Sequence, residues 1–280
     1  MPNVSNIYDL IVPLGYACSC SQALRRAELQ LASFPWDWVG VPPPSERCRI
    51  ICEGFRDFMN LEDLKWIGVN GTYGHEEVLN TRNGLIILHD FVSTAPLGEQ
   101  YPLVASKYAR RIDRLDRCLR AAKRVLLVCI DAPVTPVPTS PEDCRKAIDE
   151  MSAKYPNAKF DFLLMNLAHG RARAEMIDET PVEGVRRVAF DYKCYIPGTP
   201  AYGVEIDMLA DFLRSEYGVN DYRTKEELAA YRKRRSRKHK QKLMRKMDAL
   251  GAKNIWQFMF LRIKAKIQDA IRGRSANEKI

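Results

Sequence analysis

The sequence predicts an α/β fold: a mainly parallel sheet flanked by helices, followed by a basic helical extension. Three observations carry that expectation. Val125 to Ile130 and Phe160 to Met165 are continuous or nearly continuous apolar runs, as expected of strands covered on both faces. Ile112, Leu115, Leu119 and Ala122 recur at helical spacing before the first run, and a second helical segment, Pro141 to Lys154, separates the two, which is the order of a βαβ unit. The charge is also segregated. From Arg223 onward there are 19 Lys and Arg against 5 Asp and Glu, whereas residues 1–222 carry 25 against 30. The expected division is therefore an α/β body over 1–222 and a basic, amphipathic helical tail over 223–280.

With 280 residues and 46% apolar composition the chain can bury a sizeable core. Tyr8 to Val12 reads as the first strand and Ser19 to Leu29 as the first helix, followed by an aromatic turn, Phe34-Pro35-Trp36-Asp37-Trp38. Pro42-Pro43-Pro44 breaks the chain, and Ser45 is placed to cap a helix running to Ile51. Phe55, Phe58 and Leu61 mark a short helix with core residues. Residues 68–84 read as turns and short strands that close on Asn83-Gly84, a hairpin signal, and Leu85 to Leu88 is a strand ending in His89-Asp90-Phe91. The proline-rich segment from Asp131 to Ser140 is a loop at a strand's C-terminal end, the edge where open α/β sheets bind ligands. A third apolar strand, Val185 to Phe190, and a helix from Val204 to Tyr217, ended by Gly218, complete the body.

Composition excludes several classes. The eight cysteines contain no Cys-x-x-Cys pair, and several lie in apolar runs, which suits free thiols in a reducing compartment. The spacings Cys18/Cys20 and Cys48/Cys52 are not those of a zinc knuckle, so no metal is expected. No apolar run approaches the roughly 18 residues that span a bilayer, and the N-terminus lacks a secretion signal. A cytoplasmic protein is expected, peripheral at the inner membrane if the tail binds there. The dinucleotide, P-loop, serine-hydrolase and zincin signatures are missing, so no cofactor is expected.

Cys18 is the principal site candidate. It follows a strand and the turn Leu14-Gly15-Tyr16-Ala17, at the mouth of a helix whose macrodipole favours thiolate over thiol. The alternative is a core cysteine packing a strand–helix corner. His89, at a strand end, is either a base or a hydrogen-bonded core histidine. Asp37, between two tryptophans, either orients an imidazole or caps its own turn.

Pro13-Leu14-Gly15-Tyr16-Ala17-Cys18, then Leu24-Arg25-Arg26, then Ser33-Phe34-Pro35-Trp36-Asp37-Trp38, resemble a bacterial family of unknown function whose members are described as papain-like cysteine peptidases. That family opens on Ser-Leu-Gly-x-x-Cys and continues with a Ser-x-Pro-Phe-Asp-Trp turn. His89-Asp90-Phe91 and the helix Arg110 to Leu115 also fit, over roughly residues 8 to 170. Pro13 stands for the usual serine and Trp36 for the usual phenylalanine. The resemblance implies Cys18 as nucleophile and His89 as general base, in the papain chain order, and a papain-like α+β architecture as the alternative to a parallel sheet. The base needs an orienting group, for which Asp37, Asp90 and Asn166 are candidates and Asp37 the choice. Gly15, Trp36, Trp38, Asp90 and Asn166 are the expected substrate-binding residues, for a peptide or a glycan.

Two other classes stay open. A parallel sheet could present Cys18 to a nucleotide-sugar, making the protein a glycan-processing or sugar-transferring enzyme of surface-polysaccharide assembly at the inner membrane face. A non-catalytic protein could bind nucleic acid or a partner through Lys225 to Lys246. Tyr231 is the only aromatic in that stretch, so nucleic acid is disfavoured. Trp256, Met259, Phe260, Ile263, Ile267 and Ile271 fall at helical spacing among basic residues, which suits an anionic membrane surface or docking on the body.

Overall fold

Asp9 divides the first expected strand in two. Its carboxylate accepts the backbone N–H of Lys123 and Arg124 at 2.9 and 3.0 Å and the Asn220 side-chain amide at 2.8 Å. The chain therefore enters as β1 (Asn6–Tyr8) and resumes as β2 (Leu10–Pro13). The computed structural model describes residues 6–14, 18–40, 42–69, 76–131, 139–169, 175–192 and 202–220, with positions 233, 237, 241, 244, 247 and 257. The chain divides into two compact units, Met1–Asp221 and Tyr222–Ile280. Apart from those last six positions, the expected tail lies outside the described residues, as do Gly15 and the loop 132–138.

The first unit is mixed α/β. After β2 come α1 (Cys18–Arg26), a 3-10 turn over Pro35–Trp38, β3 (Val39–Gly40) and α2 (Pro44–Cys52). Next are β4 (Leu64–Val69), β5 (Glu76–Asn80), β6 (Ile86–Leu88) and the long helix α3 (Leu97–Ala121). The chain continues through β7 (Arg124–Asp131), α4 (Pro141–Lys154), β8 (Lys159–His169), β9 (Glu175–Val182), β10 (Val185–Tyr192), α5 (Tyr202–Glu216) and β11 (Tyr217–Val219).

Where one mainly parallel sheet was expected, the described strands form three sheets that include both parallel and antiparallel pairs. The largest has the order β2-β7-β8-β10-β9, with β2, β7, β8 and β10 parallel and β9 antiparallel at the edge. The second, β3-β6-β5-β4, is antiparallel throughout. The third pairs β1 with β11 in parallel. The segment 68–84 is short of apolar alternation, so it reads locally as turns and short strands; pairing with partners elsewhere in the chain makes them a sheet.

Both faces of the large sheet are covered, which is why β7 is apolar from Val125 to Ile130. Leu126, Val128 and Ile130 pack with Ala23 and Leu24 of α1, Ala27 just after it, and Leu209 and Leu213 of α5. Val125, Leu127 and Cys129 face the other way, towards Cys48 and Ile51 of α2, Cys144, Ala147 and Met151 of α4, and the aromatic residues Phe34, Trp36 and Phe58. Ser45 does not cap α2. The N-cap position is Pro43, and Ser45 instead binds Asp143 of α4 through its backbone N–H, at 3.1 Å, and its hydroxyl, joining the starts of α2 and α4. The cap on α4 is Ser140, whose hydroxyl accepts the Asp143 N–H at 3.1 Å.

The second sheet depends on Asn80, which is fully buried. Its amide donates to the carbonyls of Asp57 and Phe58 and accepts the N–H groups of Arg82 and Asn83, at 3.0 to 3.3 Å. The hairpin after it turns on Gly84 at φ +70°, and β6 then delivers the chain to His89.

Gly184, at φ +75° in the β9–β10 turn, has Ile148 Cδ1 3.2 Å from where a Cβ would stand. Gly184→Ala is therefore expected to cost about 1–2 kcal/mol, from left-handed strain and crowding together. Urea titration measures this, and an unchanged midpoint would show that the turn relaxes freely.

Candidate active site

Apolar residues of α1 at helical spacing set its orientation: Cys20, Ala23 and Leu24, with Ala27 just after the helix, face the sheet, and Cys20 Sγ donates to the Val128 carbonyl at 3.3 Å. That leaves Cys18, Ser21 and Arg25, spaced by three and four, along one flank. Cys18 is the first residue of α1 and is buried, at 5% exposure. It stands beyond the C-terminal end of β2, where Leu14 N–H donates to the Val128 carbonyl.

The aromatic turn docks on this flank through Asp37, which has no exposed surface. Ser21 Oγ donates to Asp37 Oδ1 at 2.9 Å, Gln30 Nε2 donates to the same oxygen at 2.8 Å, and the Arg25 guanidinium pairs with Oδ2. Burial pushes the Asp37 carboxyl above its ordinary range, opposed by Arg25, by the Gln30 and Ser21 bonds and by the Arg111 charge. Arg111 itself is buried against the Tyr108 ring, 5.3 Å from its centroid. Its Nη1, with Gln30 Oε1 and Trp36 Nε1, is buried without a hydrogen-bond partner among the described residues. Costly polar burial is thus concentrated around one turn.

Trp38 connects this turn to the second sheet. The Arg25 guanidinium lies 5.3 Å from its ring centroid, and the His89 ring meets it edge-on at 5.6 Å. His89 is exposed and holds a left-handed backbone, φ +65°, directly after β6. Such a conformation is uncommon outside glycine and persists where neighbours enforce it. Asp90 supplies that enforcement. Its side chain is 6% exposed, accepts the Tyr108 hydroxyl at 2.6 Å and pairs with Lys107, fixing the residue after His89 to α3. Burial and the neighbouring Asp90 carboxylate raise Tyr108 well above the usual phenol range, so it acts as a donor.

Cys18, Asp37, Trp38 and His89 thus lie on three elements joined through Arg25. Asp37 spends its hydrogen bonds on α1 and Gln30, so it sets the spacing between α1 and the turn. Asp90 is engaged by α3. Trp36 is core, at 1% exposure, ringed by Phe55, Phe58 and Arg47. Asn166 belongs to a different neighbourhood, where its Oδ1 accepts Arg187 Nε at 2.9 Å. Gly15 lies outside the described residues. Ser21, Arg25, Gln30, Lys107, Tyr108 and Arg111 were not among the expected site residues. The spacing of Ser21 and Arg25 from Cys18 was a legible signal, whereas the residues of α3 carried none.

Burial raises Cys48, Cys129 and Cys144, and half-buried Cys52 is pushed up to about 11. Two surface clefts, of about 270 and 250 Å³, are lined by residues that begin β7 and β8, such as Arg124, Lys159 and Asp161, at the edge of the sheet opposite Cys18. No group of three or more His, Cys, Asp or Glu side chains suited to a metal ion occurs among the described residues, and no described helix is long and apolar enough to cross a membrane.

Comparison with known proteins places this site inside a recognised segment. No solved structure matches the chain. The uncharacterized protein R408 of Acanthamoeba polyphaga mimivirus is 27% identical over 173 residues, which is 55% of this chain and 76% of the relative. Residues 9–170, from the residue before β2 to the end of β8 and including Cys18, Asp37 and His89, match a family profile, and the chain belongs to that family, described as "Putative papain-like cysteine peptidase (DUF1796)".

Proposed function

We propose that the protein is a cysteine peptidase or related thiol hydrolase with Cys18 as nucleophile and His89 as general base. The observation that supports this best is the bridge through Trp38, which touches both Arg25, on the Cys18 flank of α1, and the His89 ring. In the reaction, His89 takes the thiol proton and Cys18 Sγ attacks the scissile carbonyl carbon. The tetrahedral oxyanion forms against the positive end of the α1 dipole. Collapse breaks the C–N bond, the imidazolium returns its proton to the departing amine, and water then hydrolyses the thioester. Asp37 is a positioning residue: it holds the turn carrying Trp38 against α1 and so sets where the imidazole stands relative to the sulfur.

Iodoacetamide labelling followed by peptide mapping tests the pair. At pH 7 Cys18 is expected to alkylate first, because a thiol at about 11, such as Cys52, is thiolate in only ~1 molecule in 10⁴. His89→Ala is expected to slow Cys18 labelling at least about tenfold. A Cys18 that stays unmodified until the protein is denatured, or reacts equally fast without His89, would sink the proposal.

Asp37→Ala strands Arg25, Ser21 and Gln30 and is expected to cost about 3 kcal/mol in urea titration. The same variant, assayed while folded, should label more slowly at Cys18. A loss below about 0.5 kcal/mol would mean the carboxylate does not hold the turn.

A further inference from the structure

The basic residues of α3 form a stripe beside the candidate site. Lys107, Arg110, Arg114 and Arg117 are spaced by three, four and three, which on a helix of about 100° per residue keeps them on one face. Lys107 pairs with Asp90, next to His89, and Arg117 pairs with Asp113. Arg114 Nη1 donates to the Ser33 carbonyl at 2.8 Å, and Arg25 donates to the Ser33 hydroxyl at 3.3 Å, so the stripe reaches the helix that begins with Cys18. Arg110, between them, is exposed and donates to the Ser106 hydroxyl at 2.6 Å. Among the described residues neither Arg110 nor Arg114 has a carboxylate at ion-pair distance.

Along this flank Arg25, Lys107, Arg110, Arg111, Arg114 and Arg117 outnumber Asp37, Asp90, Asp113 and Glu77, the last of which lies opposite Leu88 in the β5–β6 ladder. This excess stands on a body in which acidic side chains outnumber basic ones, 30 to 25 over residues 1–222. A local reversal of sign beside a candidate site steers and retains ligands of the opposite charge. Guanidinium groups suit carboxylates in particular, through paired N–H···O bonds.

We infer that the site takes acidic peptide segments, with Asp or Glu side chains beside the scissile bond seated on Arg110 and Arg114. This rests on the peptidase reading for the word peptide, while the preference for negative charge stands on the stripe alone. Exposed ion pairs are individually weak, so the stripe acts as a selector and the affinity falls with salt.

The test uses full-length Cys18→Ala protein, which cannot turn substrate over, and fluorescence anisotropy of a labelled peptide rich in Asp and Glu beside its Asn/Gln counterpart of equal length. The acidic peptide should bind at least about fivefold more tightly, and Arg110→Glu should weaken it by about fivefold. Lys146→Glu, the same charge change on α4, should leave it unchanged. Since the tail is present in every variant, binding that Arg110→Glu does not alter belongs to the tail and overturns the inference, as does equal affinity for the two peptides. Competition by an oligonucleotide that Arg110→Glu abolishes would equally overturn it, by giving the stripe to nucleic acid. Selective acidic-peptide binding without cleavage by the wild-type chain would uphold the inference while removing the peptidase reading.

Discussion

A buried carboxylate holds this structure's candidate site together. Asp37 is removed from water and answered by a hydroxyl and a guanidinium of α1 and by the Gln30 amide. A buried charge stabilises little in itself, since desolvation cancels most of its attraction, but it tolerates few geometries. Sliding the aromatic turn along α1 would leave the charge unanswered. The turn is therefore held in one register, and with it Trp38, which is in contact with His89. Asp90 plays the matching part from the other side through Tyr108 and Lys107.

The large sheet provides the platform for this arrangement. Its four parallel strands end on a common edge, and α1 starts just beyond the end of β2, so the positive end of its dipole stands at that edge. The antiparallel sheet brings His89 to the same neighbourhood from a part of the chain some seventy positions later in sequence, because β6 pairs with β3, the strand directly after Trp38. The pairing of β3 with β6 is short, which makes the polar contacts of Asp37 and Asp90 the more important constraint on where the imidazole lies.

Charge has a separate architecture from packing here. The body is mildly acidic, many of its ion pairs are exposed and several are local along helices, and such pairs add little stability. The α3 cations next to Trp38 and His89 break that pattern, since two of them meet neutral oxygens in place of carboxylates. Stability does not require that arrangement, because the helix is already fixed by Val104, Tyr108, Leu115 and Leu119 in the core.

The strands β7, β8 and β10 and the helices between them were legible because burial on both faces or one leaves a direct mark on local composition. Cys18 was likewise legible, as a helix-opening residue after a strand, as was the excess of positive charge beyond residue 222. The hairpin at Asn83-Gly84 and the strand after it were legible too, whereas the pairing of β3 with β6, the split at Asp9 and the edge strand β9 were not, since such pairings depend on partners far along the chain. Sequence alone thus determined which side chains were chemically able to act and which segments would be buried. Tertiary structure alone decided that Asp37 answers to α1, that Trp36 is core while Trp38 meets His89, and that the basic face of α3 borders them. The reason is physical: periodicity records whether a residue faces water, whereas the identity of its neighbour depends on which distant segment the fold brings against it.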